Sequence, residues 1–217
     1  WYTEASILQS GSDLVASISQ TNVSDDSIAR IVQFGAGNMA DVVQDGAYLS
    51  QATVTQLGDS NTASVLQLNV EEVSADILQT GDGNEAVITQ TDGAFNSSAS
   101  IVQSGDGNAA TIDQLNAASD SSAFVDQSGD DNLANVIQGG EFDFASISQS
   151  GDVNSAWIDQ SFGADNQAYI DQSGSDNIAD IQQIASFDGY ADIVQTGDTN
   201  DAYISPEGAI NRAVINQ

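Results

Sequence analysis

One five-residue pattern, Ala-x-(Ile/Val)-x-Gln, recurs from end to end of this chain and constrains its fold more than any other feature. It opens with Ala5/Ile7/Gln9, Ala16/Ile18/Gln20 and Ala29/Ile31/Gln33, and closes with Ala202/Ile204/Pro206 and Ala213/Ile215/Gln217. The Gln positions are Gln9, Gln20, Gln33, Gln44, Gln56, Gln67, Gln79, Gln90, Gln103, Gln114, Gln127, Gln138, Gln149, Gln160, Gln172, Gln183, Gln195 and Gln217. Among nineteen copies Gln is replaced once, by Pro206.

Within a copy the fixed residues stand at i, i+2 and i+4. That is the period of a strand with one buried face. Successive copies are 11, 12 or 13 residues apart. An 11-residue repeat also suits a right-handed helical supercoil, but insertions of one or two residues would throw a helical stripe out of phase. Strands tolerate them, because they fall in turns. Most links after odd copies carry Gly-x-x-Asn, with the amides Asn38, Asn61, Asn84, Asn108, Asn132, Asn154, Asn177 and Asn200. Gly and Asn are turn residues. Links after even copies vary more. The repeating unit is therefore a pair of copies, nine units and a final half.

A five-residue strand cannot stand alone, but stacked pairs bury a continuous core. The pattern predicts an all-β β-solenoid with two short strands per layer and cross-β stacking. Residues 1–4 are expected as a lead-in and 5–217 as one solenoid domain. A buried amide without partners costs roughly 1–3 kcal/mol. A Gln that meets its own copy ~4.8 Å above and below escapes that cost by forming a ladder. The Asn residues are expected to form a second ladder at the turn.

Charge then excludes functions. Arg30 and Arg212 are the only basic residues against 32 acidic ones, a net charge of -30. Nucleic-acid binding needs clustered Lys and Arg, and binding to an anionic membrane surface needs a basic patch. No apolar run is long enough to insert in a membrane as a helix. With no Cys, His or Lys, the common triads, zinc sites and Schiff bases are absent. The reading is not an enzyme, with no cofactor.

The stretch Ala99 to Gln114 carries Gln103, Gly105, Asn108, Ala110 and Gln114. These residues and spacings resemble the curlin repeat, approximately Ser-x5-Gln-x-Gly-x2-Asn-x-Ala-x3-Gln. The family's leading Ser is expected at Ala99, and Ala fills that place in every odd copy, which weakens one ladder. The resemblance covers essentially the whole chain. It implies an extracellular, self-assembling functional amyloid of the biofilm matrix, with secretion and nucleation partners. An export signal is not evident at Trp1-Tyr2-Thr3-Glu4, which fits either a cytoplasmic protein or a signal already removed; the resemblance favours the second.

Strand edges at the ends of a solenoid are templates for further pairing unless capped. Ala5, Ile7 and Gln9 at one end and Ala213, Ile215 and Gln217 at the other are expected to continue the stack between copies, giving a homopolymer. A fibre nucleator or a non-polymerising surface adhesin is the alternative. Asp59, Asp82, Asp106, Asp130, Asp152 and Asp198 line the tight turns. They are expected as a solvated acidic face, with divalent-cation binding as the other reading. Leu8, Val32, Leu78, Val102, Val43, Leu66, Ile137, Phe124, Trp157, Tyr169 and Tyr203 point outward by the same alternation; they are expected as ordinary strand-surface packing, with lateral fibre bundling or surface adhesion as the other reading.

Overall fold

The computed structural model describes residues 3–22, 26–116, 118–206, 208 and 211–217. Each copy of the pattern is a strand. In chain order they are β1 (Glu4–Ser12), β2 (Val15–Thr21), β3 (Ile28–Ala36), β4 (Met39–Asp45), β5 (Gln51–Leu57), β6 (Thr62–Leu68), β7 (Ser74–Thr80), β8 (Glu85–Thr91), β9 (Ser98–Ser104) and β10 (Ala109–Gln114). Then come β11 (Ser122–Ser128), β12 (Leu133–Glu141), β13 (Phe144–Ser150), β14 (Ser155–Ala164), β15 (Gln167–Ser173), β16 (Ile178–Gln182), β17 (Tyr190–Thr196), β18 (Asp201–Ile204) and β19 (Arg212–Asn216). Odd strands form one ten-stranded sheet and even strands a nine-stranded sheet, each in sequence order. All pairing is parallel. Two sheets wound alternately by one chain make a β-solenoid.

Register follows the pattern. Between β5 and β7, Ala52 faces Ala75, Val54 faces Ile77 and Gln56 faces Gln79. Between β10 and β12, Ala110 faces Ala134, Ile112 faces Val136 and Gln114 faces Gln138. A slip of one residue would turn every Ala, Ile and Gln out to solvent, so the repeat itself enforces register. The Ala and Ile/Val rows of both sheets meet in one core from Ala29 to Ile204. Small Ala beside larger Ile lets the two sheets approach closely. Burying each Ile or Val contributes roughly 1.5–3 kcal/mol.

The strands are mostly seven residues rather than five, because the polar residues flanking each copy also pair. The expected lead-in is shorter than 1–4, since Glu4 already belongs to β1; Trp1 and Tyr2 lie outside the described residues. The longer links after even strands also keep register. Tyr48, Glu71, Phe95 and Ser119 are joined by successive parallel bridges, over a small second core of Ala47, Val70, Val73 and Ala94.

Candidate functional site: the stacking ladders

The inward Gln of each interior strand is fully buried. Its Nε2 donates to Oε1 of the Gln one layer on toward the C-terminus. Along the odd sheet the bonds run Gln33 to Gln56 at 2.7 Å, Gln56 to Gln79, Gln79 to Gln103 and Gln103 to Gln127 at 2.9 Å each. The even sheet repeats this from Gln20 through Gln183. Stacking accounts for one amide hydrogen. The second crosses the core to a backbone carbonyl at the start of a strand in the other sheet: Gln103 to Glu85 O at 2.9 Å, Gln127 to Ala109 O at 3.1 Å. This cross-sheet bond is absent from the sequence reading. It makes each Gln a tie between the two sheets as well as between layers. At Pro206 the ladder has no amide; Gln183 keeps its cross-sheet bond to Gln167 O at 3.2 Å.

The tight turns hold a second ladder of opposite sense. Asn108 gives both its backbone N–H and its Nδ2 to Oδ1 of Asn84, one layer back, at 3.0 and 3.2 Å. The same Nδ2 reaches forward to Gly129 O at 2.7 Å. Asn61, Asn84, Asn132, Asn154, Asn177 and Asn200 likewise draw on the preceding Asn.

The turn Asp residues do more than face water. Oδ1 of Asp106 accepts the backbone N–H of Asp82 at 2.9 Å, and Asp82 accepts that of Asp59 at 2.8 Å. Asp130, Asp152 and Asp198 accept from Asp106, Asp130 and Ser175. Each carboxylate therefore caps the layer before it while repelling its neighbours by roughly 0.9 kcal/mol in a water-like dielectric. Among the described residues no three acidic groups gather as a metal cluster. Replacing Asp82, Asp106 and Asp130 together by Asn keeps an acceptor for each N–H and removes three charges. Thioflavin half-times of assembly are expected to shorten in low salt. The gap from wild type should close near ~1 M salt, where the Debye length is about 3 Å. Equal half-times in low salt would contradict this.

One ladder was misplaced by the sequence reading. Counting back six residues from Gln103 reaches Ser97, not Ala99. Ala99 is a core residue. The column through Ser97 contains Ser27, Ser50, Ser121, Asp143 and Asn166, all buried. At Ser27, Ser97, Ser121 and Asn166 the side chain accepts the next layer's backbone N–H and donates to a next-layer carbonyl. Ser121 N–H reaches Ser97 Oγ at 3.2 Å, and Ser97 Oγ donates to Ala118 O at 2.5 Å. Variable link lengths and the occupants Val73 and Gly189 conceal this column in the sequence.

Outside, Phe124, Phe144, Tyr169 and Tyr190 form a row with ring centroids 5.3–5.7 Å apart, tilted by 35–40°. The Arg212 guanidinium lies 5.3 Å from the Tyr190 ring. The rings alternate between two outward positions of successive odd strands, so neither position alone shows the row in sequence. Leu8, Leu78, Trp157 and Tyr203 are exposed, whereas Val32 is buried on its outward face. Of the expected assembly ends, Ala5, Ile7, Gln9 and Gln217 are exposed and Ala213 and Ile215 half-buried. Among the described residues β1 pairs only with β3, and β19 only with β17.

These features define a parallel β-solenoid tied together by in-register amide ladders. The curlin associated repeat model matches residues 95–129, 129–161, 162–184 and 188–217. The chain belongs to the curlin-repeat family. That family is structural rather than enzymatic. Comparison with curated proteins finds no match.

Proposed function

We propose that this chain is the structural subunit of an extracellular, self-assembling amyloid fibre of a biofilm matrix, polymerising head to tail along the solenoid axis. The observation that carries this reading is the one-directional Gln ladder. Wherever a Gln follows one layer on, Nε2 donates to it toward the C-terminal end, so these layers offer the next the same backbone edge and the same amide polarity. A second copy placed in the same sense extends both sheets by backbone pairing and continues the amide ladder in the column that ends at Gln217, whereas the column that ends at Pro206 has no amide to pass on. A copy placed head to head would set donor against donor. Gln9 and Gln20 on one side and Gln217 on the other are the amides that would meet. Secretion and nucleation partners, and other fibres or surfaces, follow as the expected company of such a subunit. The acidic turns keep the chain soluble before assembly.

The test is dilution of the purified chain from denaturant, followed by thioflavin fluorescence and electron microscopy. Unbranched fibres with a ~4.8 Å meridional repeat are expected. A soluble β-rich monomer that neither elongates nor seeds would overturn the subunit reading and leave a surface adhesin.

A further inference from the structure

Asp143 is the one carboxylate in the buried Ser/Asn column, and only 1% of it is exposed. Its Oδ1 is well served, accepting the Asn166 backbone N–H at 2.9 Å and Asn166 Nδ2 at 3.1 Å. Its own N–H reaches Ser121 Oγ at 3.1 Å. Oδ2, by contrast, has no hydrogen-bond partner.

The layers on either side show what that atom is placed to do. Ser27 donates to Ala47 O, Ser97 to Ala118 O, Ser121 to Gly140 O and Asn166 to Ser186 O. Each bond joins a column residue to the carbonyl 19–21 residues ahead in the next layer. For Asp143 that carbonyl belongs to Gly163. Asp143 Oδ2 and Gly163 O both lie 2.4 Å from the point where a Cβ on Gly140 would stand. An ionised carboxylate there sets two acceptors against each other in a dry turn. A protonated one donates, as Asn166 does one layer on.

We propose that Asp143 is a proton-operated latch that completes this ladder as a neutral acid, bonded to Gly163 O, and opens it as a carboxylate. Burial raises the carboxyl from its ordinary 3.8 to about 6, partly opposed by the bonds from Asn166. The charged groups around it are all acidic: Glu141 on its own link, Asp120 in the layer before, and Asp165 and Asp188 in the layers after. Asp165 adds to the upward push. Arg30 and Arg212 sit far along the stack, on β3 and β19.

The sign follows. The folded carboxyl holds its proton more tightly than the unfolded one, so the latch is intact below about 4. Stability is lost as pH rises between the unfolded value of 3.8 and the folded value of about 6, and stays lost above. A subunit leaving a neutral environment for an acidic one would tighten mid-stack.

The experiment compares wild type with Asp143→Asn, which donates at any pH, by denaturant unfolding of the folded chain at pH 4 and pH 8. The wild-type folding equilibrium is expected to weaken roughly a hundredfold more than the variant's over that span, tenfold per unit of pKa separation. Infrared spectra at pH 5 should show a protonated carboxyl band in wild type that the variant lacks. If Asp143→Asn fails to fold, Asp143→Ser restores the Ser121 type of column residue and serves the same comparison. Equal pH dependence in wild type and variant would overturn the proposal. So would a stability difference that follows added Na⁺ or Ca²⁺ instead of pH. Both readouts are of the folded layer stack, so failure of the latch is distinguishable from failure to form fibres.

Discussion

Replacing Gln103 by Leu is expected to destabilise the solenoid by roughly 3–9 kcal/mol, taking 1–3 kcal/mol for each buried polar group left without its partner. Three groups are affected. Gln127 Oε1 and Glu85 O lose their donor, and Gln79 Nε2 loses its acceptor. Leu is near Gln in volume and favours the apolar interior, so the loss reports on hydrogen bonding more than on packing. A domain holds only about 5–15 kcal/mol in total, so the effect should be plain in a denaturant midpoint. The ladder makes a second, sharper prediction. Gln103→Leu with Gln127→Leu should cost clearly less than the two single changes added together, because the mismatch between those two layers disappears. Strict additivity would mean that the amides act independently and that the ladder is not the source of stability.

Gly105→Ala is expected to be as damaging, and Gly83→Ala much milder, although both glycines lie in the same turn column region with positive φ. Gly105 has φ +106°, and an added Cβ would stand 2.2 Å from Gly129 O in the next layer. That carbonyl is backbone and cannot swing away, and it already accepts from Asn108 Nδ2. Relief requires the two layers to part at the turn. The strained backbone alone costs on the order of 1–3 kcal/mol, and the lost Gly–Gly approach adds to it. Gly83, at φ +70°, has nothing within 4 Å of the new methyl. Its cost is the left-handed conformation alone, about 1 kcal/mol. Residues other than glycine already occupy that region at the equivalent Ser60, Asp131 and Asp176. Thermal or denaturant unfolding of the two variants side by side checks the ranking. Similar losses would show that φ, and not the closeness of layers, governs the glycine column.

The inward Ala, Ile and Gln rows were legible in the sequence because strand periodicity and burial depend only on local spacing. The Asn ladder was legible because Gly-x-x-Asn keeps one length. What escaped depended on distances between segments. The crossing bond from Gln103 to Glu85 O requires knowing how near the two sheets lie. The capping of Asp82 N–H by Asp106 requires the offset between layers, and charge alone suggested a solvated acidic face or a cation site. The Ser97 column was displaced to Ala99 because links of unequal length and occupants as different as Val73, Asp143 and Gly189 obscure its alignment. The aromatic row zigzags between Phe124, Phe144, Tyr169 and Tyr190, so it exists only once the strands are paired.

The most direct measurement is a helical reconstruction of fibres grown from this chain by cryo-electron microscopy. Strands are expected perpendicular to the fibre axis in two columns, with layers ~4.8 Å apart and Gln217 stacked in register on a Gln of the next subunit across the boundary. Fibres whose solenoid axes lie side by side across the filament, or in which the column ending at Gln217 stops at each subunit without a continuing amide, would contradict this.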